Sequence, residues 1–221
     1  MKMKTPLKTL LVAVSLCVAS ATSSGAATIV ASLLDQETDI VNTGGSLVSA
    51  ANFGAGEVLT VNGLLHSAGT AGGGANFTIN NTFQGDFRNN ASGLPDGTPL
   101  NELLDGIAGA NGITMSISGL TIGQEYLYQT YWEGNAGTTL TITMEGDNLS
   151  LVPDQVPAVL ISYQFTATDS ILNINIDRDD AVSGDPNNWL SGYSLQTIPE
   201  PSSSALLGVL GAFALLRRRR G

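Results

Sequence analysis

Residues 159–177 read VLISYQFTATDSILNINID and contain two apolar–polar alternations separated by a short polar turn. Apolar side chains fall at every second position in Val159–Thr166, and they do so again in Ile171–Asp177. Alternation with a period of two is typical of antiparallel strands that bury one face and expose the other. This stretch therefore predicts two neighbouring, half-buried β-strands.

The same pattern continues on both sides of this stretch and predicts ten strands in all. They are Thr28–Leu34, Ser46–Ala51, Glu57–Val61, Ala75–Ile79, Ile113–Ile117, Gln124–Trp132, Thr138–Met144, Val159–Thr166, Ile171–Asp177 and Leu190–Gln196. One short helix is predicted, with Thr98 as its cap, Pro99 in first position and its end at Gly109. Its apolar stripe is formed by Leu100, Leu103, Leu104 and Ile107. The sequence thus predicts an all-β fold, a single antiparallel β-sandwich of jelly-roll-like form with one short helix.

The composition of residues 28–198 sets limits on function. This stretch holds 22 of the 26 glycines and no lysine, and its two basic residues, Arg88 and Arg178, against 18 acidic residues leave a formal charge of −16. A surface this negative repels nucleic acid, so nucleic acid is not an expected partner. The only cysteine, Cys17, precedes the stretch, which excludes a disulfide or a thiol nucleophile within it.

The N-terminal residues have the layout of a secretory signal peptide. Lys2, Lys4 and Lys8 precede the apolar segment Leu10–Ala19, and small residues follow. We expect cleavage after Ala27, with Ala21 as the alternative. The predicted domains are a signal peptide at 1–27, a β-sandwich at 28–198 and a C-terminal segment at 199–221, and the two terminal segments are expected to be helical.

The C-terminal segment has three parts. The short motif Pro199, Glu200, Pro201 leads into the apolar run Ser202–Leu216, which ends in Arg217, Arg218, Arg219 and Arg220. As a helix the run would be about 22 Å long, short for a hydrocarbon core of about 30 Å. The arginines favour a cytoplasmic position for the chain end. We therefore expect a transient membrane anchor.

This segment resembles the PEP-CTERM sorting signal of exported bacterial proteins. The resemblance implies recognition by the membrane protease-transpeptidase exosortase, with the secretion machinery as a further partner. It also implies export across the inner membrane to the cell envelope or the extracellular polysaccharide.

A second resemblance concerns the domain itself. Residues 119–126 (GLTIGQEY) look like the turn and strand that open many exported β-sandwiches, and residues 189–195 (WLSGYSL) resemble their closing strand. The pattern is similar to that of galactose-binding-like and carbohydrate-binding sandwiches. It implies a fold rather than a ligand.

Three groups of residues are candidate sites. Exposed aromatic rings stack on sugars, and Tyr131, Trp189 and Tyr193 are the candidates for such binding, with Tyr131 and Trp189 expected at the surface. Asp177, Asp179, Asp180 and Asp185 are candidate ligands for a structural Ca²⁺, the one cofactor the sequence suggests. Glu133 and Glu145 are the candidate carboxylate pair of a polysaccharide hydrolase.

The only histidine, His66, lies among turn residues and is expected to be a surface side chain without a catalytic role. The expected function is therefore non-enzymatic, that of an exported envelope or matrix protein. The alternatives are a carbohydrate-binding module and, with less support, a polysaccharide-active hydrolase.

Overall fold

The computed structural model describes residues 27–53, 58–69, 73–80, 83–86, 94–95, 97–110, 112–133, 139–151, 158–178 and 188–200. In chain order the strands and the α-helix are β1 Thr28–Leu33, β2 Leu47–Asn52, β3 Leu59–Val61, β4 Leu64–Ala68, β5 Phe77–Asn80, β6 Phe83–Asp86, α1 Pro99–Asp105, β7 Gly106–Ala110, β8 Gly112–Ser118, β9 Glu125–Glu133, β10 Leu140–Met144, β11 Asp147–Leu151, β12 Ala158–Thr166, β13 Ile171–Arg178 and β14 Asn188–Thr197. A single 3₁₀ turn, Glu37–Asp39, follows β1.

These strands form two sheets packed face to face. The larger has the order β1-β12-β9-β14-β2-β4-β3, with β7 also paired to β14 and β6 paired to β7. The smaller has the order β11-β10-β13-β8-β5. Among the described strands, β2 and β4 run parallel and every other pair is antiparallel. The predicted β-sandwich with one short α-helix is confirmed.

The main core fills the space between the sheets. It is built from the apolar positions of the alternating strands, such as Ile142 of β10, Ile161 of β12 and Ile176 of β13, all of which are fully buried. Their polar neighbours point away from this core, as the period of two requires. The alternation seen in the sequence therefore decides which face of each strand is buried.

A second apolar cluster lies on the outer face of the larger sheet. Here Leu100, Leu103 and Leu104 of α1 pack with Val61 and Leu64 of the β3–β4 hairpin. The same cluster contains Leu34, Ile40, Tyr131, Ala158 and Leu160. One part of the sheet is thus covered on both faces, so the molecule has a third layer there.

Helix α1 begins as predicted and ends earlier. The Thr98 hydroxyl accepts a hydrogen bond from Asn101 N at 3.3 Å, and Pro99 is the first helical residue. The predicted position of Ile107 in the helix is wrong, because the helix ends at Asp105 and Ile107 belongs to β7. Pairing of β7 with both β6 and β14 draws this residue into the sheet.

The strand register gives the sandwich two distinct ends. Strand residues Thr28, Glu125, Thr166 and Thr197 lie at one end, which we call the exit end because the chain leaves the sandwich there. Glu133, Ala158 and Asn188 lie at the other, which we call the loop end. The turn from β12 to β13 joins the two sheets at the exit end.

Among the described residues no helix is long and apolar enough to cross a membrane. Of the two terminal segments predicted to be helical, 1–27 and 199–221, residues 1–26 and 201–221 lie outside the described residues.

Candidate functional site at the exit end

An open pocket of about 340 Å³ lies at the exit end, beside the first described residue, Ala27. It is lined by residues of the β10–β11 turn, by the end of β12 and by the β12–β13 turn. The polar and aromatic residues among them include Glu145, Asp147, Tyr163, Phe165 and Asp169. Segments far apart in the chain therefore bring three carboxylates and two rings to one opening.

Each of these carboxylates is positioned by one hydrogen bond from the protein. Glu145 Oε1 accepts from Asn173 N at 2.6 Å, and Asp169 Oδ1 accepts from Ile171 N at 2.7 Å. The Tyr163 hydroxyl donates to Asp147 Oδ2 at 3.0 Å. These bonds hold the acids in place at the rim without neutralising their charge.

Tyr163 stays protonated in this setting. Burial raises its pKa above the ordinary value, and the hydrogen bond and charge of Asp147 and the charge of Glu145 raise it further. Its ring stacks on Phe165, with ring centroids 4.9 Å apart. Tyr163 is thus a fixed donor that orients Asp147.

The pocket can accept hydrogen bonds from hydroxyl or ammonium groups. In the part of the chain that the structure describes, no three acidic or histidine side chains come together as metal ligands. Of the candidate Ca²⁺ ligands, Asp177 is described, and its Oδ2 accepts from Asn175 Nδ2 at 2.8 Å. Asp179, Asp180 and Asp185 lie outside the described residues, so the Ca²⁺ site stays a prediction.

The second notable cluster is a buried polar network under α1. The Tyr131 hydroxyl lies 2.8 Å from Ser194 Oγ and 3.2 Å from His66 Nε2. His66 Nδ1 lies 3.1 Å from the Leu64 carbonyl oxygen, which can only accept, so Nδ1 carries the proton of the neutral ring. All three side chains are fully buried. Their burial favours a structural role for the network.

The predicted surface positions of His66 and Tyr131 are therefore wrong. Both residues face outward from the larger sheet, as the alternation indicates, but the second apolar cluster covers that face. Burial lowers the pKa of His66 to about 4, so it is neutral at physiological pH.

Tyr193, a third aromatic of interest, faces the main core and is fully buried. Its hydroxyl is 2.7 Å from Ser49 Oγ, and its ring packs edge-on against Phe77 with centroids 5.3 Å apart. Neither Tyr131 nor Tyr193 presents a ring face to solvent. Ligand binding by Trp189 stays a prediction, because its side chain lies outside what the structure describes.

The loop end gathers several residues that the sequence singled out. Trp189 pairs with Gly109 of β7, and its neighbour Leu190 pairs with Trp132 of β9. Asp177 is one residue from the end of β13, at the end of the strand opposite Ile171, which lines the pocket. The topology therefore places Asp177 and the backbone of Trp189 toward the loop end, away from the pocket.

The candidate hydrolase pair, in contrast, is separated by the length of the sandwich. Glu133 pairs with Ala158 at the loop end, whereas Glu145 lines the pocket with Phe165 and Thr166. The eight steps along β12 from Ala158 to Thr166 correspond to about 26 Å. Glycosidase carboxylates stand about 5–10 Å apart. Glu133 and Glu145 cannot act on one glycosidic bond in this structure.

The last described residues are bonded tightly into the exit end. Thr197 N donates to Ser46 O at 2.9 Å, and Ser46 N donates to Thr197 Oγ1 at 2.8 Å. Ile198 N donates to Glu125 O at 2.9 Å, and Gln124 Nε2 donates to Ile198 O at 3.1 Å. We call the residues joined by these bonds, Ser46, Gln124, Glu125, Thr197 and Ile198, the exit clasp. The chain is thus held by the sandwich up to Ile198.

Gly45 makes the exit clasp possible. A Cβ on Gly45 would collide with the Thr197 carbonyl oxygen. The neighbouring Thr43 hydroxyl donates to that same oxygen at 2.8 Å. Glycine at position 45 therefore allows the close approach of two backbone segments.

Comparison with solved structures supports the fold. Over 68% of this chain and 18% of the other, the protein is similar to Bacteroides uniformis beta-glucuronidase, with 16% identity and a TM-score of 0.51. The chain spans less than a fifth of that enzyme, and the likeness concerns the fold alone. The CBM22-1 xylan-binding domain of Paenibacillus barcinonensis Xyn10C is similar over 71% of this chain and 97% of that domain, at 15% identity. Its TM-score of 0.42 is too low to support an argument about function.

No curated protein matches the chain in sequence. Residues 197–220 match the PEP-CTERM protein-sorting motif. The match begins at Thr197, inside the exit clasp. The chain thus carries a PEP-CTERM sorting signal that starts in its last described strand.

Proposed function

We propose that this protein is an exported, non-enzymatic component of the cell envelope or extracellular matrix, sorted as a substrate of exosortase. The observation that carries the proposal is the PEP-CTERM match over residues 197–220. The expected partners are exosortase and the secretion machinery, and the expected anchor is a transient membrane insertion of Ser202–Leu216.

The strand bounds are consistent with a folded domain between two terminal segments that are removed by processing. Strand β1 begins at Thr28, which would be the first residue after cleavage at Ala27. Strand β14 ends at Thr197, immediately before the Pro199–Pro201 motif. These bounds support division into a signal peptide at 1–27, a sandwich at 28–198 and a sorting segment at 199–221.

The test is to replace Arg217–Arg220 with alanine and to follow processing in the producing cell by mass spectrometry of the mature C-terminus. We expect the wild-type chain to lose its C-terminal residues and the alanine variant to keep them, because the positive charge that orients the segment is gone. Replacement of the same four residues with lysine is the matched control for charge.

Unchanged processing of the alanine variant would contradict the proposal. Recovery of the wild-type chain from the cytosol with both ends intact would contradict it as well.

A second candidate function is carbohydrate binding, favoured by the exit-end pocket. Its volume of about 340 Å³ falls in the range of about 300–1,000 Å³ typical of small-molecule sites. Carboxylates accept hydrogen bonds from sugar hydroxyls, and Asp147 and Asp169 are fixed for that role.

Calorimetric titration with oligosaccharides of the matrix tests this second function. Loss of binding in Asp169→Asn would place the ligand in the pocket, whereas loss in Trp189→Ala would place it at the loop end. No heat with any glycan would leave the envelope role without carbohydrate binding.

A further inference from the structure

The sorting motif starts inside the folded domain, with no linker between them. Thr197 and Ile198 belong to the matched range 197–220 and are both held by the exit clasp. Only three residues, 199–201, separate Ile198 from the start of the apolar run at Ser202. Fully extended, the four Cα–Cα steps from Ile198 to Ser202 reach about 14 Å. When the run is inserted in a bilayer, the exit end must therefore lie close to the membrane surface.

Exposed apolar side chains surround this exit. Ile122 is 69% exposed, Val41 47% and Leu47 38%. The Val41 carbonyl accepts from Gln196 Nε2 at 2.8 Å, and Leu47 pairs with Gln196 in the β14–β2 register. Ile122 lies two residues before Gln124, which binds Ile198. The three residues thus lie close to the last residues before the sorting motif.

We propose that the exit end is a membrane-contact face on which Val41, Leu47 and Ile122 rest against the bilayer surface while the sorting segment is inserted. This inference rests on the proposed function, since it requires insertion of Ser202–Leu216. The occupant is the lipid surface itself, because a segment of at most about 14 Å joins the exit end to the inserted run.

The charge of the same end defines the lipid surface that suits it. Glu145, Asp147 and Asp169 line the nearby pocket. Anionic headgroups repel these negative side chains, whereas a zwitterionic surface has zero net charge and does not repel them. Contact is therefore strongest on zwitterionic bilayers and weakens as the anionic lipid fraction rises.

The test uses the full chain and places a fluorescent probe toward one end of the sandwich or toward the other. In a Cys17→Ser background, Thr121→Cys puts a label beside Ile122, and Thr114→Cys puts the same label on an exposed position toward the loop end. The chain is inserted into phosphatidylcholine vesicles that carry a headgroup-linked quencher. We expect loss of fluorescence at position 121 and little change at 114. Equal signals at the two positions would overturn the proposal.

A further variant tests the apolar contact itself. Ile122→Asp should reduce quenching at position 121, because a charged side chain disfavours contact with the interface. Unchanged quenching in this variant would refute a role for Ile122.

Flotation of the labelled chain with the vesicles separates the two hypotheses. Failure to float contradicts insertion of the tail and with it the proposed function. Flotation without preferential quenching contradicts the contact face alone.

Discussion

Acidification should destabilise the folded domain through one residue, His66. It is the only histidine of the chain, it is fully buried, and burial lowers its pKa to about 4. In the unfolded chain a histidine has a pKa of about 6.5. Between these two values the unfolded state binds a proton that the folded state does not.

The sign of the effect follows from this difference in proton uptake. The free energy of unfolding falls as the pH decreases through 6.5 and reaches its full loss below about pH 4. The gap between the two pKa values corresponds to about 3 kcal/mol, of which about 2 kcal/mol is lost by pH 5. The range from pH 7 to 5 spans the ordinary histidine pKa and stays above the lowered one, so it contains most of the loss due to His66.

Urea unfolding at a series of pH values between 7 and 5 measures this slope. His66→Gln is the matched control, because glutamine keeps a polar side chain in the network and does not titrate. We expect the variant to be less stable at pH 7 and nearly independent of pH in this range. An equal slope in both proteins, or a flat response in the wild type, would refute the reasoning.

Three further predictions concern packing. Tyr131→Phe should lower the free energy of unfolding by about 2 kcal/mol, because its buried partners lose their hydrogen bonds. Tyr128→Phe is the control and should cost little, because the Tyr128 hydroxyl has no partner among the described residues. Equal losses of stability in urea unfolding of the two variants would contradict this prediction. Gly45→Ala should open the exit clasp and lower the melting temperature. Faster hydrogen exchange of the backbone amides at the end of β14 would show the opening. Unchanged exchange at these amides would count against the clasp. Leu103→Ala should lower the free energy of unfolding by about 3 kcal/mol, because it leaves a cavity under α1. Leu65 is exposed, so Leu65→Ala should change the stability very little. Thermal unfolding of the two variants tests this difference.

Local pattern was enough to predict most of the sandwich. Strands β10, β12 and β13 follow directly from period-two alternation, and the cap at Thr98 follows from residue type at a fixed position. Strands β4, β6, β7 and β11 were not predicted, because glycine-rich or short segments carry little alternation. Their pairing depends on partners far away in the chain.

The burial of His66 and Tyr131 could not be predicted for a related reason. Alternation predicts which face of a strand a residue occupies, but not whether another layer covers that face. Here α1 and the β3–β4 hairpin supply the covering layer from elsewhere in the chain. The buried network thus depends on tertiary packing alone.

The sorting signal and the exit-end pocket also differ in how far the sequence predicts them. The sorting signal is continuous in sequence, so Pro199–Pro201 and the arginines predicted it directly. The pocket combines Ala27 and Leu120 with residues of the β10–β11 turn and of the end of β12, and only the folded structure brings them together.

The position of β14 has a consequence for the order of events during folding. It is the last strand described, yet it lies inside the larger sheet, paired with both β9 and β2. The sheet cannot close until residues up to Thr197 are available to pair with β9 and β2. Because these partners are far apart in the chain, pairing of β14 is expected to be a slow, late step of folding.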